Sequence, residues 1–234
     1  HSFIILVSSS PDKMLPTILS RCRKVWFRSL SDEEVIAALM QQDASLQADR
    51  AQHIAMLAQG SLEKAFSLLH HDDDEKRKLV LEILVNGSAW SYNEMSQAIQ
   101  SLDKTMEKAK TTLKDSLLKE YEEIFEEATA LQKEALNKEA EGHAAMLYLS
   151  EASAVFENTL SWYRDLSLIK HDGDVRLLFN KDYEKQLVEH SKKMSKAPNL
   201  MKVQEYISDA SCAVQRSIKF GTCLEQLLLK LEVL

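Results

Sequence analysis

Glycine and proline are scarce in this chain, five and three among 234 residues. That leaves few turn-formers, so a mostly helical protein is expected. Cysteine is scarcer than any disulfide scaffold requires. Cys22, Cys212 and Cys223 form no Cys-x-x-Cys pair, which argues against both a disulfide framework and a zinc site and fits a reducing cytoplasm. Long apolar runs are missing too. The longest, Phe3 to Val7, falls far short of the ~20 residues that cross a bilayer, and no basic segment precedes it as in a signal peptide. The formal charge of −7 sets the whole chain against phosphate backbones and disfavours autonomous nucleic-acid binding, leaving only a local basic patch for such a role. What is present is ordinary for a soluble chain, 45% hydrophobic and 28% charged. That is enough to bury a core in one domain or two without covalent staples.

Phe3-Ile4-Ile5-Leu6-Val7 is an unbroken β-prone run ending at Ser8-Ser9-Ser10-Pro11. Runs without period-2 alternation belong to strands covered on both faces in a parallel sheet. The only other strand candidate is Val25-Trp26-Phe27. One orphan strand predicts that the rest of its sheet lies in a part of the protein upstream of this chain. Between the two runs, Pro11 to Leu19 reads as a short helix limited by Pro16, and Arg21 to Arg23 as a basic turn.

Ser31-Asp32-Glu33-Glu34 has capping-box spacing before Val35, Ile36, Leu39 and Met40. A second helix, Asp49 to Ala58, ends at Gly60, and a third starts after Ser61 and carries Leu62, Ala65, Phe66, Leu68 and Leu69. His70-His71-Asp72-Asp73-Asp74 marks a boundary. Adjacent histidines there lack the i,i+4 spacing of helix-borne metal ligands. Beyond it the pattern predicts helices near Glu75–Val85, Ser91–Ser101, Lys104–Glu139, Gly142–Lys170, Lys181–Ser195 and Asn199 to the end. Turns are expected at His171-Asp172-Gly173-Asp174 and Ala197-Pro198-Asn199. Residues 107–141 are rich in Glu and Lys with thin apolar content. They read as a long exposed helix or helical pair steadied by charge pairs. Trp26, Trp90 and Trp162 read as core anchors.

Leu6-Val7-Ser8-Ser9-Ser10-Pro11-Asp12-Lys13, followed by Leu15-Pro16-Thr17-Ile18-Leu19-Ser20-Arg21-Cys22, resembles the sensor 1 strand and Ser-Arg-Cys motif of bacterial DNA polymerase III clamp-loader subunits, members of the AAA+ family. The resemblance covers about thirty residues by motif and the rest by architecture alone. It implies a mainly α chain in three parts. Residues 1–29 would be the end of an AAA+ α/β core, 30–72 a three-helix lid and 73–234 a helical collar. In that family the arginine at the position of Arg21 reaches into a neighbouring subunit's ATP site, a task suited to an always-charged planar fork. The residues alone leave open that Arg21 pairs with a carboxylate or caps the preceding helix. Ser9 falls at the sensor 1 position, and a serine that merely ends a strand is the equal alternative.

Gly60-Ser61-Leu62-Glu63-Lys64-Ala65 resembles the family's lid motif, with Glu63 where motor subunits carry a sensor 2 arginine. A carboxylate there would repel a triphosphate, and Lys64 lies about 100° round the helix. An arginine finger without sensor 2 implies the delta-prime type, a partner without hydrolysis of its own. No phosphate-binding G-x-x-x-x-G-K-[ST] loop is present. The implied cofactor is none in this chain, with ATP held by neighbouring subunits. The implied partners are the gamma/tau and delta subunits of a hetero-oligomeric ring, and through it the sliding clamp and primed DNA, in the cytoplasm and with no membrane. A collar contact is expected on the leucine-rich stretch Phe220 to Leu234. The alternatives are a gamma/tau-like motor subunit and an unrelated helical adaptor.

Overall fold

The computed structural model describes residues 4–8, 11–70, 73–86, 89–121 and 128–232. It is mainly helical, and no strand forms among the described residues. The chain divides into two compact units, residues 1–65 and 66–234.

In the first unit, the helix expected over Pro11–Leu19 is split. Pro11–Lys13 forms a 3-10 turn, and α1 (Pro16–Leu19) begins anew with Pro16 in its first turn, because proline brings no amide hydrogen to a continuing helix. Both expected strands are absent. Residues 4–8 and 23–31 have no regular structure, and Phe3 lies outside the described residues. A strand exists only by hydrogen bonding to a neighbour, and neither run has one. Their side chains face solvent, with Val7 94% and Phe27 92% exposed.

α2 (Asp32–Gln42) starts at the expected capping box: Ser31 Oγ accepts from the Glu34 amide at 3.3 Å while the Glu34 carboxylate accepts from the Ser31 amide at 2.9 Å. α3 (Ala48–Ala58) packs on α2 through Val35, Leu39, Ile54 and Ala55, all buried. Gln59 and Gly60 then take left-handed φ values of 51° and 81°, and the Gly60 carbonyl accepts from the Leu30 amide at 3.2 Å. A Cβ on Gly60 would sit 2.6 Å from the Leu30 carbonyl oxygen, so both conformation and space require glycine. α4 (Leu62–His70) begins in this unit, with Phe66 and later residues belonging to the second.

The second unit is built around α7 (Ala130–Lys170), a 41-residue helix. Packed along it are α5 (Asp73–Asn86), α6 (Tyr92–Glu120), α8 (Glu184–Lys193) and α9 (Leu200–Gln215), while α10 (Phe220–Glu232) packs on α6 and α9. Trp162, Phe220, Leu102, Met106, Leu166 and Leu187 are fully buried in its core. The indole of Trp162 meets Tyr183 and His190 edge-on, at centroid distances of 6.4 and 6.1 Å.

Three boundaries depart from the sequence pattern. The helices expected at Lys104–Glu139 and Gly142–Lys170 are redivided. α6 runs on to Glu120, and α7 starts at a capping box of Thr129 and Gln132 and passes straight through Gly142. A lone glycine costs a helix only about 1 kcal/mol, which the packing of Ala140 and Ala144 on either side offsets. The helix expected from Asn199 to the end breaks after Gln215. Ser217 is left-handed (φ 65°), and the Ile218 amide turns back to the Ala213 carbonyl at 3.1 Å. Lys181–Tyr183 forms a 3-10 turn ahead of α8. Of the two forms left open for the charged segment, the described residues form parts of two helices, tied by Lys114 to Glu141 at 2.8 Å and, just outside it, by Tyr148 Oη donating to Asp103 at 2.8 Å.

A polar cluster closes the long connection from α7 to α8. The Asp165 carboxylate, with no solvent exposure, accepts from the amides of Phe179 (3.1 Å) and Asn180 (2.8 Å) and from Asn180 Nδ2 (2.9 Å). Asn180 Oδ1 in turn accepts from Arg77 of α5 at 3.0 Å, and Arg77 holds Asp182 with its two terminal guanidinium nitrogens, at 2.6 and 2.8 Å. Burial pushes the Asp165 carboxyl above its ordinary range against the lowering pull of these N–H donors.

Two stability predictions follow from these contacts. Asp165→Ala takes the carboxylate acceptor from the Phe179 amide, the buried Asn180 amide and Asn180 Nδ2 and is expected to cost about 3 kcal/mol, read as a lower urea midpoint at unchanged m. Gly142 is open on every side, with nothing within 4 Å of an added Cβ. Gly142→Ala is therefore expected to stabilise the protein by roughly 0.5–1 kcal/mol in the same assay.

Candidate functional site

The residues singled out by the motifs centre on the turn after α1. Ser20 ends that helix in a helical conformation. Its amide donates back to Pro16 and Ile18, and its hydroxyl donates to the Thr17 carbonyl at 3.2 Å. The Arg21 amide donates to the Ile18 carbonyl at 3.0 Å, which fixes where the side chain leaves the backbone. From Arg23 the chain runs on without regular structure to Ser31.

Four cations lie on this stretch, and they divide into two kinds. Arg28 is structural: its guanidinium grips both oxygens of Glu34 at 2.8 and 2.6 Å and donates a third bond to the Ser29 carbonyl. The same Glu34 closes the capping box of α2, so one carboxylate ties the incoming segment to the helix start. Arg21, Arg23 and Lys24 are exposed and make no ion pair or side-chain hydrogen bond among the described residues. Of the two structural roles open to Arg21, pairing with a carboxylate is taken by Arg28 instead. Capping of α1 is done by backbone amides and the Ser20 hydroxyl.

Arg28 holds the Glu34 carboxyl down to about 2, first through its hydrogen bond, with the Ser31 amide next. Glu34 is exposed, so solvent screens part of this effect. The other motif residues are placed as follows. Ser9 lies outside the described residues. Glu63 is exposed in the first turn of α4, where a carboxylate complements the helix dipole, and Ser61 Oγ accepts from the Lys64 amide at 3.3 Å as the cap. Arg21 and Glu63 share the first unit, and no hydrogen bond or ion pair joins them.

His71 and Asp72 lie outside the described residues, and no cluster of three or more His, Cys, Asp or Glu suited to a metal occurs among the described ones. No helix among them is long and apolar enough to cross a membrane. Cys22 and Cys212 are exposed free thiols, and Cys223 is buried.

The leucine-rich helix is placed differently from its expected role as a contact surface. Phe220, Leu224, Leu227, Leu228 and Leu231 fill the second unit's own core, and only Leu229 faces solvent, at 45%. Val233 and Leu234 lie outside the described residues. An amphipathic helix buries its leucines in the nearest apolar surface, and here α6 and α9 supply it. The chain matches no protein-family model, no curated protein and no solved structure.

The folded-state value of Glu34 lies below the ~4.3 of an unfolded glutamate, so its stabilisation is complete above that value and disappears as the pH falls through about 2. Glu34→Gln is accordingly expected to lower the melting temperature at pH 7, with the gap closing in acid. Ser31→Ala removes only the reciprocal cap. It is expected to cost about 1 kcal/mol with little pH dependence.

Proposed function

We propose that this chain is the lid, collar and core-edge part of a clamp-loader subunit of the delta-prime type, one that assists ATP hydrolysis by a neighbour and performs none itself. The observation that carries the reading is Arg21. It stands in Leu15-Pro16-Thr17-Ile18-Leu19-Ser20-Arg21-Cys22 just after the end of α1, exposed and without a carboxylate partner among the described residues. A guanidinium kept free of partners is available to a phosphate on another molecule, and its fork matches the oxygens of a transferring γ-phosphoryl group.

Two further features support the reading. Ile4, Ile5, Val7, Val25, Trp26 and Phe27 expose more apolar surface than a stretch of linker needs, as sheet strands do when their pairing edges are elsewhere. Glu63 sets a negative charge on the first turn of α4, a poor neighbour for a triphosphate bound in cis. ATP then belongs to gamma/tau-like partners in a hetero-oligomeric ring acting on the sliding clamp and primed DNA. The buried face of α10 is not free for that assembly, so ring contacts fall on other surfaces of the second unit.

The test is Arg21→Ala in a ring reconstituted with motor subunits. Assembly and ATP binding are expected to survive, while single-turnover hydrolysis at the adjacent site falls by about 10³-fold or more. Unchanged hydrolysis would overturn the reading. ATP binding and turnover by this protein alone would replace it with the motor subunit.

A further inference from the structure

We infer that the turn joining α8 to α9 is a contact surface for the phosphate backbone of nucleic acid. Between Glu189 and Glu205 there is no acidic residue, yet Lys192, Lys193, Lys196 and Lys202 fall within eleven positions. All four are exposed, and none makes an ion pair or side-chain hydrogen bond among the described residues. Elsewhere in the unit Lys76, Lys114 and Lys138 are paired with Glu151, Glu141 and Glu134, and the exposed Lys104, Lys108, Lys119 and Lys133 each stand next to an acidic residue in sequence. In a chain of net charge −7, four unneutralised ammonium groups on one turn are a concentration against the average.

The turn is also held in place. Lys170 reaches across from the end of α7 and donates to the carbonyls of Ser191 (3.1 Å) and Met194 (2.8 Å). That cation occupies the negative end of α8, so the helix terminus does not neutralise the exposed lysines. Pro198 is buried, and the Asn199 side chain caps α9 by accepting from the Lys202 amide at 3.2 Å. Lys202 therefore sits in a first helical turn, where a cation opposes the dipole and no internal contact rewards it. Lys193 is felt inside the unit as well. With burial as the larger cause, it holds the half-buried His190 imidazole below its ordinary range.

The chemistry of the patch selects among polyanions. Ammonium point charges without a guanidinium fork suit phosphates met in no fixed register, which is how sequence-independent backbone contacts are made. A bilayer surface asks for apolar side chains beside the cations, and Met201 alone is exposed here. An acidic protein segment would need donors and a pocket to set its register, and the turn offers only lysine tips. The inference does not rest on the clamp-loader reading and stands if that reading fails.

Fluorescence anisotropy of a labelled single strand and of its duplex tests it, with the 234-residue chain and salt varied from about 20 to 200 mM. Four neutralised phosphates give an expected log–log salt slope of about −3 for the strand and about −4 for the duplex. K192Q/K193Q/K196Q/K202Q should abolish the binding. K104Q/K108Q/K119Q/K133Q changes net charge equally on exposed lysines of α6 and α7 and should leave the slope unaltered. Circular dichroism confirms that both variants fold. No binding at the lowest salt, or equal loss in the two variants, overturns the inference. So does binding to anionic phospholipid vesicles with none to either DNA, which would make the turn a membrane contact.

Discussion

The second unit depends on a buried carboxylate meeting a loop. Asp165 accepts the amides of residues 179 and 180 from within the core, and through Asn180 it reaches Arg77 on α5. Three pieces of chain distant in sequence are thereby set in one register: the middle of the unit, its longest connection and its first helix. The apolar groups around them are permissive by comparison, since leucines slide where hydrogen bonds do not. The indole of Trp162 packs beside this node, with Tyr183 from the pinned connection on one edge and His190 of α8 on another. Burying charge in this way is costly unless it is hydrogen-bonded, and the Asp165 carboxylate is held by three N–H donors.

Charge is organised by a second rule on the outside. Cations that serve the fold meet an acceptor in close geometry, as Arg28 meets Glu34, Lys76 meets Glu151 and Lys170 meets two carbonyls. At two places, the turn after α1 and the turn before α9, cations without such partners stand close together with no carboxylate between them in sequence. Both are turns held without these cations' side chains, the first by backbone bonds and the second by Lys170 and Asn199, so where the side chains start is fixed. An acidic protein can in this way carry local positive surfaces that its net charge conceals.

What the sequence made legible was local. The capping box at Ser31/Glu34 is written in four residues and forms as its spacing implies. Another box, Thr129 with Gln132, is equally local and was masked by the even Lys/Glu composition around it, which suggested one unbroken helix. Gly142 misled in the opposite direction, because a single glycine costs a helix only about 1 kcal/mol, and the buried Ala140 and Ala144 hold the turns on either side of it. The Asp165 node was illegible for a different reason. Its bonds join residues 15 and 105 positions apart, and no spacing rule reaches that far. At the motif turn, the position of Arg21 could be read from its neighbours, but the pairing of Arg28 with Glu34 could not. Only the completed helix start shows which arginine is occupied. The apolar run from Ile4 to Val7 has strand chemistry without a strand, since propensity supplies no partner for the backbone.

The helix α7 carries two environments on one uninterrupted hydrogen-bonded rod of about 60 Å. Toward Lys170 it is embedded among Trp162, Leu166 and the Asp165 node. Toward Ala130 it is met by α6 at the buried Ala140 and Ala144 and by one exposed ion pair, Lys114 with Glu141, that salt screens. Opening free energies of its amides should accordingly fall along its length instead of at a helix boundary, with protection decaying from the Trp162 end outward. Secondary structure and cooperative unit therefore do not coincide here, and the outer half of the rod can melt and re-form while the unit that anchors it stays folded.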